Sequence, residues 1–106
     1  MDAWTRSQID AAHREAGGAY HEFLRVPALS LGLYVLDARA IDLQTPHAED
    51  EIYHVLEGRG RITVGEDDRP VGPGDTVYVA AGVEHRFHDI SEQLRLLVVF
   101  APAESG

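Results

Sequence analysis

The stretch Gln44-Thr45-Pro46-His47-Ala48-Glu49-Asp50-Glu51-Ile52-Tyr53-His54-Val55-Leu56-Glu57-Gly58-Arg59-Gly60 decides the fold. Its proline fixes φ, removes a backbone donor and favours an extended residue before it. A histidine and three carboxylates follow. The run Ile52 to Leu56 is rich in β-branched and aromatic residues and reads as a strand, with the glycines beyond it as the turn of a hairpin. His47 and Glu51 set nitrogen and oxygen donors just ahead of a half-buried strand, where a rigid sheet could hold a metal ion. A solvated acidic turn is the other reading of the same residues.

Working toward the N-terminus, Ala38 to Leu43 is a further candidate strand leading into this stretch, and Leu29 to Leu36 and Tyr20 to Val26 are two more, the last ending before Pro27. Before Gly17-Gly18 the character is helical. Ser7-Gln8-Ile9-Asp10 resembles a capped helix start, followed by good helix formers that the glycines stop. Working toward the C-terminus, Tyr53 to Glu57 and Arg61 to Val64 flank Gly58-Arg59-Gly60. Glu66-Asp67-Asp68 turns into a short extended piece, Arg69 to Val71. Gly72-Pro73-Gly74-Asp75 is a strong turn signal. Thr76 to Val79, His85 to Phe87 and Leu94 to Phe100 are the remaining strands, and Pro102 onward reads as a frayed tail. Many short strands punctuated by turns indicate an all-β sandwich or barrel. The division expected is a helical segment over 1–18, a barrel over 19–101 and a tail over 102–106.

Composition excludes several classes of function. At 106 residues the chain is one domain. A formal net charge of −9 opposes nucleic-acid binding, which needs a basic surface. There is no cysteine, so disulfides, thiolate metal sites and cysteine nucleophiles are ruled out. All nine basic residues are arginine, so lysine Schiff-base chemistry is ruled out too. The four serines sit in a cap, a strand, a turn and the tail, without the surroundings of a hydrolase nucleophile. No signal pattern opens the chain and no apolar run reaches the length of a membrane span, so a cytoplasmic location is expected.

The second informative stretch is Gly74-Asp75-Thr76-Val77-Tyr78-Val79-Ala80-Ala81-Gly82-Val83-Glu84-His85-Arg86-Phe87-His88-Asp89. With the first, it resembles the two motifs of the cupin superfamily, small jelly-roll β-barrels. His47, Glu51 and Gly58 fall on the second histidine, the glutamate and the closing glycine of the first motif. Gly74, Gly82 and His85 fall on the two glycines and the histidine of the second. The departures are Arg39 at the first motif's leading glycine, Thr45 at its first histidine, Ala80 at the second motif's proline and Asp89 at its asparagine.

The resemblance implies an all-β, single-domain cupin-type jelly-roll barrel with a short N-terminal helix. It also implies a divalent transition metal (Fe(II), Mn, Zn or Ni) held by His47, Glu51 and His85. A typical cupin site has one more histidine; two histidines and a carboxylate resemble the set that suits iron(II) or manganese and leaves open positions. Gln44 could add an amide oxygen if Pro46 bulges the strand, although simple alternation puts Thr45 on the His47 face. Glu49 competes with Glu51 for the carboxylate role, and the glycine spacing favours Glu51. Alternation puts Tyr53 and Val55 on the Glu51 face and Phe87 on the His85 face. Tyr53, Phe87 and, on a neighbouring strand, Tyr34 are therefore the expected substrate-pocket residues, with barrel core as their other reading. His54 and His88 face the opposite way.

Two functions remain open at this stage. One is a metal-dependent enzyme, of dioxygenase or isomerase/lyase type, acting on a small molecule. The other is a non-enzymatic small-molecule binding module. The apolar runs Leu29 to Leu36 and Leu94 to Phe100 exceed what one sheet face needs, which together with the family resemblance leads to an expected homodimer.

Overall fold

The computed structural model describes residues 1–105. One helix, α1 (Arg6–Ala16), precedes six strands: β1 (Tyr20–Val26), β2 (Leu29–Leu36), β3 (Asp50–Val64), β4 (Asp67–Val71), β5 (Thr76–Val79) and β6 (His85–Ala101). All pairings are antiparallel, in the order β1-β2-β6-β3-β4, with β5 on β3 beside the site. The expected single-domain all-β barrel with a short N-terminal helix is what forms. Among the described residues no helix is long and apolar enough to cross a membrane.

The helix starts two residues earlier than Ser7 suggests. Thr5 is the N-cap, accepting from the Gln8 amide while the Gln8 side chain accepts from the Thr5 amide. This reciprocal pair satisfies two backbone donors that a helix start otherwise leaves open. Ile9 is buried and α1 packs against β1 and β2. Asp10 ties the helix to the barrel by accepting from Arg95 at 2.9 Å. Burial of Asp10 opposes its charge, but Arg95 and Arg6 more than offset this and hold its carboxyl below the usual range.

The largest difference from the sequence reading is that Gly58-Arg59-Gly60 does not turn a hairpin. β3 runs unbroken through both glycines, with register shifts against β6 between Val55 and Arg61. His85 to Phe87 and Leu94 to Phe100 likewise belong to one strand, β6. Glycine here serves a close approach and a bulge. Gly58 has φ 96, and a Cβ there would fall 2.7 Å from the Leu94 Cα and nearer still to the Gln93 carbonyl. The tight β3–β4 turn is made instead by Gly65-Glu66, with glycine at φ 58, so Asp67 and Asp68 lie on β4. Glycine in the first of two loop positions matches the twist of a hairpin.

No strand forms over Ala38 to Leu43. Arg39 adopts φ 66 there and donates its amide to the Ile90 carbonyl, so the chain turns where an extended segment was expected. Asp89, at the asparagine position of the second motif, also has positive φ, 47. Glycine and asparagine reach this left-handed backbone at low cost, which is the physical sense of those motif positions.

The core is built from the inward faces of the two long strands. Tyr53, Val55 and Ile62 on β3 meet Phe87, Leu94 and Leu96 on β6. All are essentially inaccessible to solvent. The tail is not frayed: Glu104 donates its amide to Ser30 Oγ, and Ser105 Oγ donates to Glu49 Oε2 at 2.7 Å. Gly106, the last residue of the expected tail, lies outside the described residues.

Candidate metal centre

His85 registers opposite Val64, at the far end of β3 from Glu51. Only the rolling of the two long strands brings the two side chains together, with His85 Nε2 3.1 Å from Glu51 Oε1. His47 joins them from the loop ahead of β3, held by its carbonyl, which accepts from the Gly82 amide at 2.8 Å. Ligand atoms of His47, Glu51 and His85 lie within 4.8 Å of one another, so the three could hold one ion.

The protonation pattern makes the fit specific. His85 Nδ1 sits 2.9 Å from the Val83 carbonyl. A carbonyl can only accept, so the proton of neutral His85 is on Nδ1 and the Nε2 lone pair faces Glu51. Neither Glu51 oxygen nor His85 Nε2 has a hydrogen-bond partner, although all three atoms are buried. Two electron-rich groups confronting each other inside protein need a positive charge between them, either a proton or a cation. Burial by itself disfavours the protonated ring. The Glu51 carboxylate and the Val83 carbonyl outweigh it and raise His85 above the ordinary histidine value.

Gln44 also reaches the cluster, and its orientation is set by a residue that the sequence reading missed. Asp42 is buried; it accepts from Gln44 Nε2 at 2.9 Å, from Tyr34 Oη at 2.8 Å and from the Phe87 amide at 2.9 Å. Its hold on the amide nitrogen turns Gln44 Oε1 inward, where it accepts from Tyr53 Oη at 2.9 Å and lies 3.4 Å from His47 Nε2. Since residues 37–49 form no strand, alternation does not apply to Gln44 and Thr45. The signal available in the sequence was an acid two residues before Gln44, in an otherwise apolar run.

Asp42→Ala should leave the buried Phe87 amide without an acceptor and free Gln44 to rotate. The expected loss of stability is about 1–3 kcal/mol, read from urea denaturation.

Glu49 is buried rather than on a solvated turn, and points away to Ser105. Asp50 accepts from the Ala81 amide at 2.9 Å. His47 Nδ1 is 3.2 Å from Glu104 Oε2, so the tail reaches the rim of the site. His54 bonds Thr76 on the outer face, and His88 pairs with Asp68 and Asp89. Neither approaches the cluster.

Beside the donors lies a cavity of about 180 Å³. Its apolar walls are Val98, Phe100 and the rings of Tyr20 and Tyr34, and its polar side is Gln44, His47, Glu51 and Glu104. Of the three expected pocket residues, only Tyr34 lines it. Tyr53 and Phe87 point inward as alternation requires, but they pack edge-to-face at 4.8 Å in the core behind the cavity. Tyr53 meets the site through its hydroxyl, which donates to Gln44.

Fold and site together define a small antiparallel barrel with a histidine–carboxylate cluster inside it. A family model of the cupin domain matches residues 32–100, and the chain belongs to the cupin family. It is 51% identical over 105 residues to an uncharacterized protein of Streptomyces coelicolor, covering 99% of this chain and 100% of that one. It is also 51% identical over 45 residues to an acireductone dioxygenase of Rhodopseudomonas palustris. That match covers 39% of this chain and 27% of the enzyme. Among solved structures, the protein TT1209 of Thermus thermophilus superposes with a TM-score of 0.75 at 22% identity, over 97% of this chain and 99% of that one.

Proposed function

We propose that this chain is a divalent-metal-dependent enzyme acting on a small molecule in the barrel cavity, of the dioxygen-consuming type rather than an isomerase or lyase. The observation that carries the metal is the confrontation of the Glu51 carboxylate and the His85 Nε2 lone pair, buried and otherwise unpartnered. Fe(II), Mn, Zn and Ni all suit two imidazoles, a carboxylate and an amide oxygen. The choice of oxygen chemistry leans on the segment shared with acireductone dioxygenase.

Val83 fixes the His85 ring, and Asp42 fixes Gln44. Tyr20, Tyr34 and Phe100 form an apolar wall on one side of the site. A bound metal would supply Lewis acidity toward a substrate oxygen and a place for dioxygen to react.

Dioxygen uptake by metal-loaded protein tests the reading. It is expected with at least one member of a panel of small diketones, thiols and phenols, and should vanish when the metal is stripped. Full metal content without uptake or product from any compound would make the chain a binding module.

We further propose that two copies pair through the outer face of the sheet. Leu31, Val99, Ile52 and Tyr78 stand in register across β2, β6, β3 and β5. Ile52 and Tyr78 remain 40% and 59% exposed in the single chain. A row of this kind, continued by Leu97 on β6, is more apolar than a free surface needs to be. Light scattering at micromolar concentration should give twice the chain mass; a monomer would refute the pairing.

A further inference from the structure

Tyr20 is the one tyrosine of the barrel interior whose hydroxyl is left over. Tyr34 Oη is committed to Asp42 and Tyr53 Oη to Gln44. Tyr20 lines the cavity, and its Oη is buried with no hydrogen-bond partner. Its position is also kept clear. Tyr20 opens β1 opposite Tyr34, and its ring leans diagonally across β2 over Gly32. A Cβ at Gly32 would fall 2.5 Å from Tyr20 Cε1 and nearer still to the hydroxyl end. Gly32 has no positive φ to explain it, so the missing side chain serves the ring above it. Edge-on contacts with Tyr34 at 6.2 Å and Phe100 at 6.3 Å hold that ring in place. Burial, and then the acids Glu104, Glu22 and Glu51, push the Tyr20 hydroxyl above its ordinary range, so it stays protonated and able to donate.

The lining also restricts charge. Among the described residues the cavity contains no arginine, and its carboxylates are Glu51 and Glu104. A divalent ion offset by Glu51 leaves room for at most about one negative charge on the ligand, and for less when Glu104 is ionised, while phosphate would bring more and meet no cation side chain.

We propose that Tyr20 is the ligand-recognising residue of this cavity, donating a hydrogen bond to an oxygen of a compact, unphosphorylated, neutral or singly charged oxygen compound such as a small diketone or its enolate. The inference rests on the metal-site reading above for the ligand's other end, and on the cavity alone for the hydroxyl.

The test uses the full chain loaded with cobalt(II), whose visible spectrum reports bound ligands. Acetylacetone and inorganic phosphate are titrated separately. The wild type is expected to bind acetylacetone and to ignore phosphate. Tyr20→Phe should keep the same cobalt content and bind acetylacetone about tenfold more weakly. Equal binding by Tyr20→Phe overturns the role of the hydroxyl. Phosphate binding as tight as acetylacetone, or cobalt-loaded wild type that ignores acetylacetone, overturns the ligand class.

A metal-free arm stands apart from the metal reading. Removing an unpartnered hydroxyl should leave the melting temperature unchanged or raised. A drop of several degrees shows that the hydroxyl has a structural partner, and overturns the proposal. Wild type that retains no cobalt refutes the metal site instead, and the metal-free comparison then decides Tyr20.

Discussion

Alanine at both His47 and His85 is expected to take bound divalent metal from about one ion per chain to near none, measured by elemental analysis of tag-free protein. His54→Ala, on the outer face of the same strand as Glu51, should leave the content unchanged. The expectation follows from what each side chain does when no ion is present. His85 Nε2 and both Glu51 oxygens are buried without hydrogen-bond partners. A cation satisfies all three at once, whereas a single proton satisfies only one pair of them. Removing both imidazoles leaves Glu51 and Gln44, too few donors to compete with water for a transition metal. Glu51→Gln keeps the shape but not the charge, and should weaken binding by at least the roughly 10–100-fold that losing a hydrogen-bond partner of a ligand costs a metal site. Metal retained in full by the double variant would show that the ion sits elsewhere, and the proposed chemistry would go with it.

The second large effect is expected at a position remote from the ligands. Gly58→Ala should cost roughly 3 kcal/mol or more, a large fraction of the total stability of a domain of this size. The added methyl would strike the β6 backbone at Gln93 and Leu94, and backbone cannot swing aside as a flexible side chain can. Positive φ adds strain on top. Gly74→Ala is the control. It shares positive φ, 89, but a Cβ there meets nothing within 4 Å. Its cost should be confined to the backbone term, about 1–2 kcal/mol. Denaturation of the two variants side by side separates collision from conformational strain. Equal losses would mean that the close approach of β3 and β6 is not what requires glycine at 58.

This glycine marks the boundary between what was legible and what was not. Turn residues in the sequence announce that a strand cannot continue in a regular ladder. They do not say whether the chain reverses or bulges, because both outcomes use the same φ. At Gly65 the chain reverses; at Gly58 it bulges and runs on. The difference lies in β6, which is distant in sequence and passes close enough at Gln93 and Leu94 to fill the space a side chain would take.

The amino-acid sequence by itself determined the strand-rich class, the inward face shared by Glu51, Tyr53 and Val55, and the short list His47, Glu51 and His85. Alternation and motif spacing are local, and local rules survive folding. Only the tertiary structure decided which inward residues face the cavity and which fill the core behind it. It turned Gln44 inward through Asp42, kept Tyr53 and Phe87 in the core, brought Glu104 to the rim and left the Tyr20 hydroxyl without a partner. The physical reason is that each of these depends on a polar or steric match between segments far apart in the chain. The pattern along any one strand says which side a residue takes, and the rolled barrel alone says what waits for it there.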